Sequence, residues 1–285
     1  MKLITSGIVT NQYGHVLLIQ RDDSLTWAPP GGILEHGELP TEGVVREVRE
    51  ETGLMVTPVR LVALDFAKGK NDTLLLMTFR CIQRGGEIKT SGESLRVGWV
   101  KGNDLPRSML SYHRQRVERA LAHAGGPPVW HVEENGGNRL HRLKRALTSI
   151  GKRKQQPGDT NASAPDWEIE TAVRIQNSKN ETLWVKSGQQ WVLPGALSNG
   201  KQPPWATAVQ ATQSQTGHTP TLTTLAGVYA GEKKLTLVFL GAVPAAAIAQ
   251  DDNVKFSFEA PDNADSVQAG WIRSAVTAED VTIFL

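Results

Sequence analysis

Cysteine is almost missing from this chain. Cys81 stands alone among 285 residues, so no disulfide can form within it. Its place in the apolar run LLLMTFRC, Leu74 to Cys81, marks a buried strand thiol rather than a nucleophile, and such a chain suits a reducing cytoplasm. A marked excess of one sign of charge is missing too. A formal net charge of +2 gives no global reason to bind nucleic acid or a membrane surface. Nowhere do roughly 18 apolar residues follow one another. The opening MKLITSGIVTNQYGH breaks its apolar run at Asn11 and Gln12, so neither a signal peptide nor a membrane span is expected. A length of 285 residues leaves room for two ordinary domains and a connector.

What is present in abundance is acid at regular spacing. Gly32 to Leu54 reads GILEHGELPTEGVVREVREETGL. From Pro40 onward this predicts a helix, with proline in a first-turn position where its missing N–H costs little and Gly53 just past the end as a C-terminal cap. At roughly 100° per residue, Glu47, Glu50 and Glu51 fall within about 100° of arc and share one face, while Val44, Val45 and Val48 turn toward a core. Like charges so placed cost a few tenths of a kcal/mol each on a bare helix, and a bound cation would convert that repulsion into attraction. Hard oxygen ligands favour Mg2+ or Mn2+. A solvated acidic face would explain an acidic run taken alone, but not seven specified residues at fixed offsets. Just ahead, Pro30-Gly31-Gly32 predicts a tight turn with exposed backbone carbonyls.

This arrangement resembles the signature of the Nudix hydrolase family: Gly, five residues, Glu, seven residues, Arg-Glu-aliphatic-any-Glu-Glu-any-Gly-aliphatic. Gly32, Glu38, Arg46, Glu47, Glu50, Glu51 and Gly53 meet it. Trp27-Ala28-Pro29-Pro30 and the strand-like GHVLLIQR, Gly14 to Arg21, agree as flanks. The resemblance implies an α/β/α sandwich with a mixed sheet. It also implies Mg2+-dependent hydrolysis of a pyrophosphate bond in a nucleoside diphosphate derivative or nucleoside triphosphate, with Mn2+ able to substitute. Carried over by position, Glu47, Glu50 and Glu51 are the expected metal ligands and the Gly31 carbonyl a possible backbone ligand. Arg46 orients Glu47, and Glu38, Gly32 and Gly53 support the loop and helix. The resemblance implies a general base either on the acidic helix itself or on a carboxylate in a later loop; for the latter the candidate is Glu93 in GGEIKTSGESLRVGW, with a plain exposed glutamate as the competing reading. His36 and His113 are expected bystanders.

The chain also repeats itself. The distance from Trp27 to Trp191, 164 positions, lays WVLPG on WAPPG and, without a gap, Thr216-Gly217 on Thr52-Gly53. ETLWVK matches HVLLIQ, KKLTLVFLGAV matches TLLLMTFRC, and the Trp271 segment matches that of Trp99. The chemistry does not repeat: Glu38, Arg46, Glu47, Glu50 and Glu51 become Gln202, Gln210, Ala211, Ser214 and Gln215. Two Nudix-type domains with mixed sheets are therefore expected, catalytic over residues 1–124 and degenerate and silent over 166–285, with a basic linker over 125–165. The silent copy would be a pseudo-dimer partner, a ligand-binding module or a remnant. The chain would then be a monomeric pseudo-dimer or a homodimer.

In the linker, RLHRLKRALTSI, Arg139 to Ile150, places Leu140, Leu143, Leu147 and Ile150 at helical steps, with basic residues mostly off that stripe. GKRK and QQPGDTNASAP follow, with the composition of a flexible connector. The clustered Lys and Arg admit contact with nucleic acid. Without interleaved aromatics or a nucleic-acid motif, a solvated linker is the expected reading.

A small nucleotide is the expected substrate, and the residues do not fix which one. Trp27, Tyr13 and Phe66 are the aromatic candidates for stacking on its base. Two alternatives stay open: a ligand-sensing binding protein, suggested by the silent copy, and removal of pyrophosphate from RNA 5′ ends guided by the basic linker.

Overall fold

The computed structural model describes residues 1–35, 38–68, 73–125, 127–134, 168–198, 202–230, 234–243, 248, 250–265 and 268. The amphipathic stretch Arg139 to Ile150, the basic run after it, the Trp271 segment and His36 lie outside these residues. The chain divides into two compact units, Met1–Ala164 and Pro165–Leu285.

The first unit runs β1 (Lys2–Thr10), β2 (His15–Arg21), β3 (Trp27–Ala28), β4 (Gly31–Ile33), α1 (Pro40–Thr52), β5 (Leu54–Lys68), β6 (Thr73–Gly86), β7 (Ser94–Lys101), α2 (Ser111–Ala122) and β8 (Val129–Glu134). One mixed sheet takes the order β3-β2-β1-β6-β5-β8, with β4 on β1 and β7 on β2. β1 pairs β6, and β5 pairs β8, in parallel; the other pairings are antiparallel. β1 is covered on both faces, which is why its middle is an unbroken buried run. Gly7 lies under α1, where a Cβ would come within 2.8 Å of Val48 Cγ2. Its neighbour Ile8 joins the opposite core with Val62, Met109, Val117 and Ala120 beneath α2. Successive strand residues face opposite ways, so the two helices flank the sheet.

Helix α1 begins at Pro40, after Leu39 N–H donates to Glu42 Oε2 at 3.0 Å. It ends where Gly53, at φ 77°, returns its N–H to Arg49 O at 2.8 Å. Val44 and Val48 are fully buried, whereas Val45, expected beside them, is only half-buried.

The second unit runs β9 (Glu168–Ile175), β10 (Thr182–Ser187), β11 (Gln190–Val192), β12 (Gly195–Ser198), α3 (Pro204–Thr216), β13 (Thr221–Ala230), β14 (Lys234–Ala242) and β15 (Val254–Ser257). Its sheets take the orders β12-β9-β14-β13 and β11-β10-β15. The first of these has the pairing of β4-β1-β6-β5, with β9 and β14 parallel. Register identifies matching residues: Gly31 faces Ser6 and Gly195 faces Ala172, while Phe79 faces Gly7 and Phe239 faces Val173. The ungapped shift read from the sequence therefore holds for the turn and helix but not for the flanking strands. Among the described residues the sheets stay open, without a closed barrel, and no helix is long and apolar enough to cross a membrane.

Candidate active site

Arg46 is the hub of the first unit's acidic helix. Its Nε and Nη2 donate to the two carboxylate oxygens of Glu38 at 2.7 and 2.9 Å, and Nη2 also donates to Ile33 O at 3.2 Å. Its Nη1 donates to Glu47 Oε1 at 2.8 Å and Glu50 Oε2 at 3.1 Å. The guanidinium is thus occupied by the scaffold. Its hydrogen bonds hold Glu38 below the usual carboxylate range, and those carboxylates in turn push Arg46 above the ordinary arginine value.

The three carboxylates expected on one face differ in burial. Glu47 and Glu51 are 6% and 3% exposed, whereas the Glu50 side chain is 60% exposed. Glycine makes their burial possible: a Cβ on Gly32 would strike the Glu47 carboxylate, and one on Gly31, at φ 151°, would strike the Thr5 carbonyl. Gly31 N–H donates to Glu51 Oε2 at 2.8 Å. Ser94 Oγ donates to Glu51 O at 3.1 Å and so ties the start of β7 to the helix, with Glu93 directly before it.

Desolvation raises Glu47 against its Arg46 hydrogen bond, and it raises Glu51 to about 8 against the Gly31 N–H, with the Glu47 charge adding to it. Glu93, half-buried, is raised by desolvation and by Asp22 and Glu50, against the pull of Arg21. Its charge bears on both Glu47 and Glu51. With side chains as placed, no three acidic, histidine or cysteine groups among the described residues converge as metal ligands. Arg46 holds Glu47 and Glu50, and Gly31 holds Glu51. The donor chemistry nonetheless fits a hard divalent cation, because two buried, mutually repelling carboxylates lose that penalty when a cation sits between them.

The aromatic candidates separate. Tyr13, 74% exposed in the β1–β2 turn, leans on His15, and Trp27 packs against the core beneath α2. Phe66 lines a cavity and stacks on Trp130 with ring centroids 6.1 Å apart. That cavity is bounded by Asp65, Arg119 and His131, and shares Leu76, Tyr112 and Arg116 with a second one reaching Ser6, Arg21 and Gly31. In the sequence, α2 offers only His113, read as a bystander, and no signal for Tyr112 or Arg116. Tyr112, His113 and Arg116 are in fact buried, and Tyr112, Arg116 and Arg119 follow a helical step that a search for apolar residues overlooks. His113, the expected bystander, is held neutral by desolvation and by Arg116 and Arg21.

In the second unit, amides stand where charges stood. Gln215 closes on both sides of Gly195, accepting its N–H and donating to its carbonyl, each at 3.0 Å. Gln202 Nε2 donates to Gln210 Oε1 at 3.0 Å and Thr207 Oγ1 at 3.1 Å, in place of the Arg46–Glu38 ion pair.

The NUDIX domain family model matches residues 2–121. The chain is similar to a MutT-like protein of Streptomyces ambofaciens, 36% identical over 135 residues, 47% of this chain and 84% of the relative. It is similar to an 8-oxo-dGDP phosphatase of Mus musculus, 32% identical over 116 residues, 38% of this chain but only 35% of that one. A solved ADP-ribose pyrophosphatase of Streptococcus suis 89-1591 is 26% identical, with a TM-score of 0.37, over 46% of this chain and 98% of its own.

Proposed function

The chain belongs to the Nudix family, and we propose that its first unit is a divalent-cation-dependent pyrophosphohydrolase of a nucleoside diphosphate derivative or nucleoside triphosphate. The observation that carries this is the joining of buried Glu51 to the Gly31 turn at 2.8 Å, beside buried Glu47 and the rim residue Glu50. Glu47, Glu50 and Glu51, with the Gly31 carbonyl, would hold Mg2+ or Mn2+. Such an ion, when bound, polarises phosphoryl oxygens and lowers the pKa of a coordinated water.

The chain's own residues supply the rest. Arg46, pinned to Glu38 and Glu47, orients the helix carboxylates and does not touch substrate. Glu93 takes the proton of the attacking water while the new P–O bond forms and the bridging P–O bond breaks, leaving a nucleoside monophosphate and the other phosphorylated half. Its raised pKa suits a base working toward neutrality. The name of the mouse relative, an 8-oxo-dGDP phosphatase, supports a nucleoside diphosphate as the substrate class.

The second unit is a degenerate Nudix-like domain. With Gln202, Gln210, Ala211, Ser214 and Gln215 at the matching places it has no acid to hold a cation and is catalytically silent; its role is that of a built-in partner, making the chain a pseudo-dimer. Phosphate release from nucleoside triphosphates, damaged nucleotides, ADP-ribose, nucleotide sugars and dinucleoside polyphosphates, coupled to alkaline or inorganic phosphatase, tests the reading. One preferred substrate, silenced by EDTA, upholds it, and no release from any member overturns it.

A further inference from the structure

The two units differ at a place that holds no carboxylate. In both, a backbone N–H secures the carbonyl of the proline opening the turn: Gly7 donates to Pro30 O at 2.9 Å and Val173 to Pro194 O at 2.7 Å. The turn forms, then, without side-chain help. Only the first unit adds a second donor, Ser6 Oγ, to Pro30 O at 3.1 Å. Its counterpart, across the strand from Gly195, is Ala172, which has no hydroxyl. Ser6 Oγ also accepts a hydrogen bond from Arg116 Nη2 at 3.1 Å, 110 residues away in sequence. This relay is present where the carboxylates are present, and its serine is gone where they are gone.

Arg116 is buried with few partners. It is 8% exposed, and among the described residues Ser6 is its one hydrogen-bonded partner. Its Nε and the hydroxyl of Tyr112 are buried without partners. Asp65 acts on it through its charge alone, without a hydrogen bond, and a guanidinium withdrawn from water with no carboxylate bonded to it is costly, a cost recovered when an anion arrives. Arg116 and Tyr112 line the cavity that also touches Gly31 and Arg21. Arginine suits phosphate because it stays charged when buried and presents several donors in a plane.

We propose that Arg116, steadied by Ser6 and joined by the Tyr112 hydroxyl, binds a phosphate oxygen of the substrate in the cavity beside Gly31. This rests on the first unit being a pyrophosphohydrolase. Arg116 is then a substrate-binding residue and Ser6 a positioning residue. The ligand class is a phosphate ester, and a neutral nucleoside gains nothing from the pair.

Calorimetric titration of the full chain with Mg2+ tests this, using guanosine and adenosine 5′-monophosphates, which have no pyrophosphate bond to cleave, against the parent nucleosides. Arg116→Met is expected to weaken monophosphate binding about ten- to a hundredfold while leaving nucleoside binding unchanged, and Arg116→Lys to restore part of it. Ser6→Ala, which installs the second unit's own residue and so spares the turn, is expected to weaken monophosphate binding several-fold. The proposal is overturned if Arg116→Met leaves monophosphate affinity unchanged, if nucleoside affinity falls in parallel, or if the wild type binds monophosphates no better than nucleosides. The two readings fail separately. Absent hydrolysis with an Arg116-dependent monophosphate site sinks only the enzymatic reading, and hydrolysis with an Arg116-independent site sinks only this one.

Discussion

Glu51 Oε2 accepts the N–H of Gly31 at 2.8 Å, so the helix carboxylate and the turn ahead of the helix form one hydrogen-bonded piece. The same junction in the second unit is closed by Gln215 on both the N–H and the carbonyl of Gly195, each at 3.0 Å. Once ionised, the Glu51 carboxylate can only accept, which leaves the Gly31 carbonyl available to a cation; an amide also donates and takes that carbonyl for itself.

Divalent cation should protect one unit only. At a hundred times its dissociation constant, a ligand bound only by the folded state stabilises it by about 2.7 kcal/mol. Hydrogen exchange should therefore slow in α1 and its turn on adding Mn2+, while α3 stays unchanged. Equal protection of α3 would contradict the assignment of the second unit as cation-free.

Cation binding should expel a proton. Burial raises Glu51 to about 8, so below that pH the carboxylate is protonated and must ionise before it can serve as a ligand. Apparent affinity should fall by up to about tenfold per pH unit below pH ~8. Calorimetry in buffers of different ionisation enthalpy should show up to one proton released per ion near neutrality, and a heat independent of buffer would count against this.

Acid should weaken the first unit through His113. Desolvation lowers the folded pKa of this residue well below its ordinary value, so under pH ~6.5 the unfolded chain binds the extra proton and the folded one does not. The neutral ring's contribution is complete above that pH and is lost as the pH falls, by up to about 1.4 kcal/mol per unit. Scanning calorimetry at pH 7 and 5 should show a smaller drop for His113→Leu than for the wild type; equal drops would refute it.

Arg46→Lys should cost about 1–3 kcal/mol of stability in the first unit. A single ammonium cannot span both oxygens of Glu38 and also reach Glu47, as the fork does at 2.7, 2.9 and 2.8 Å. The partly exposed guanidinium keeps the figure below that of a fully buried pair. Urea unfolding of the full chain measures it, and an unchanged midpoint would show that the fork holds nothing.

Helix α1 was legible because its signals are local: Pro40 opens it, Gly53 caps it, and the acid spacing lies within four turns. Burial of its carboxylates was not, because it depends on distant backbone, the Thr5 strand closing on Gly31 and the missing Cβ of Gly32. The cavity under α2 was hidden for a related reason. Hydrophobic periodicity marks a buried face by its apolar residues, and Tyr112, His113 and Arg116 bury a polar one. Nor does any local pattern reveal that Arg116 meets Ser6. The second unit's loss of charge is written in its residues; that Gln215 occupies the Gly195 carbonyl depends on how the turn and the helix meet in space.

The most direct measurement compares matched substitutions in the two units, Glu51→Gln and Gln215→Glu, by phosphate release from the preferred substrate of the full chain with Mg2+. Glu51→Gln should lower kcat/KM by at least about a hundredfold, and Gln215→Glu should leave it within about twofold. Activity that survives Glu51→Gln, or falls equally in both, would contradict the claim that the first unit's carboxylates carry the chemistry.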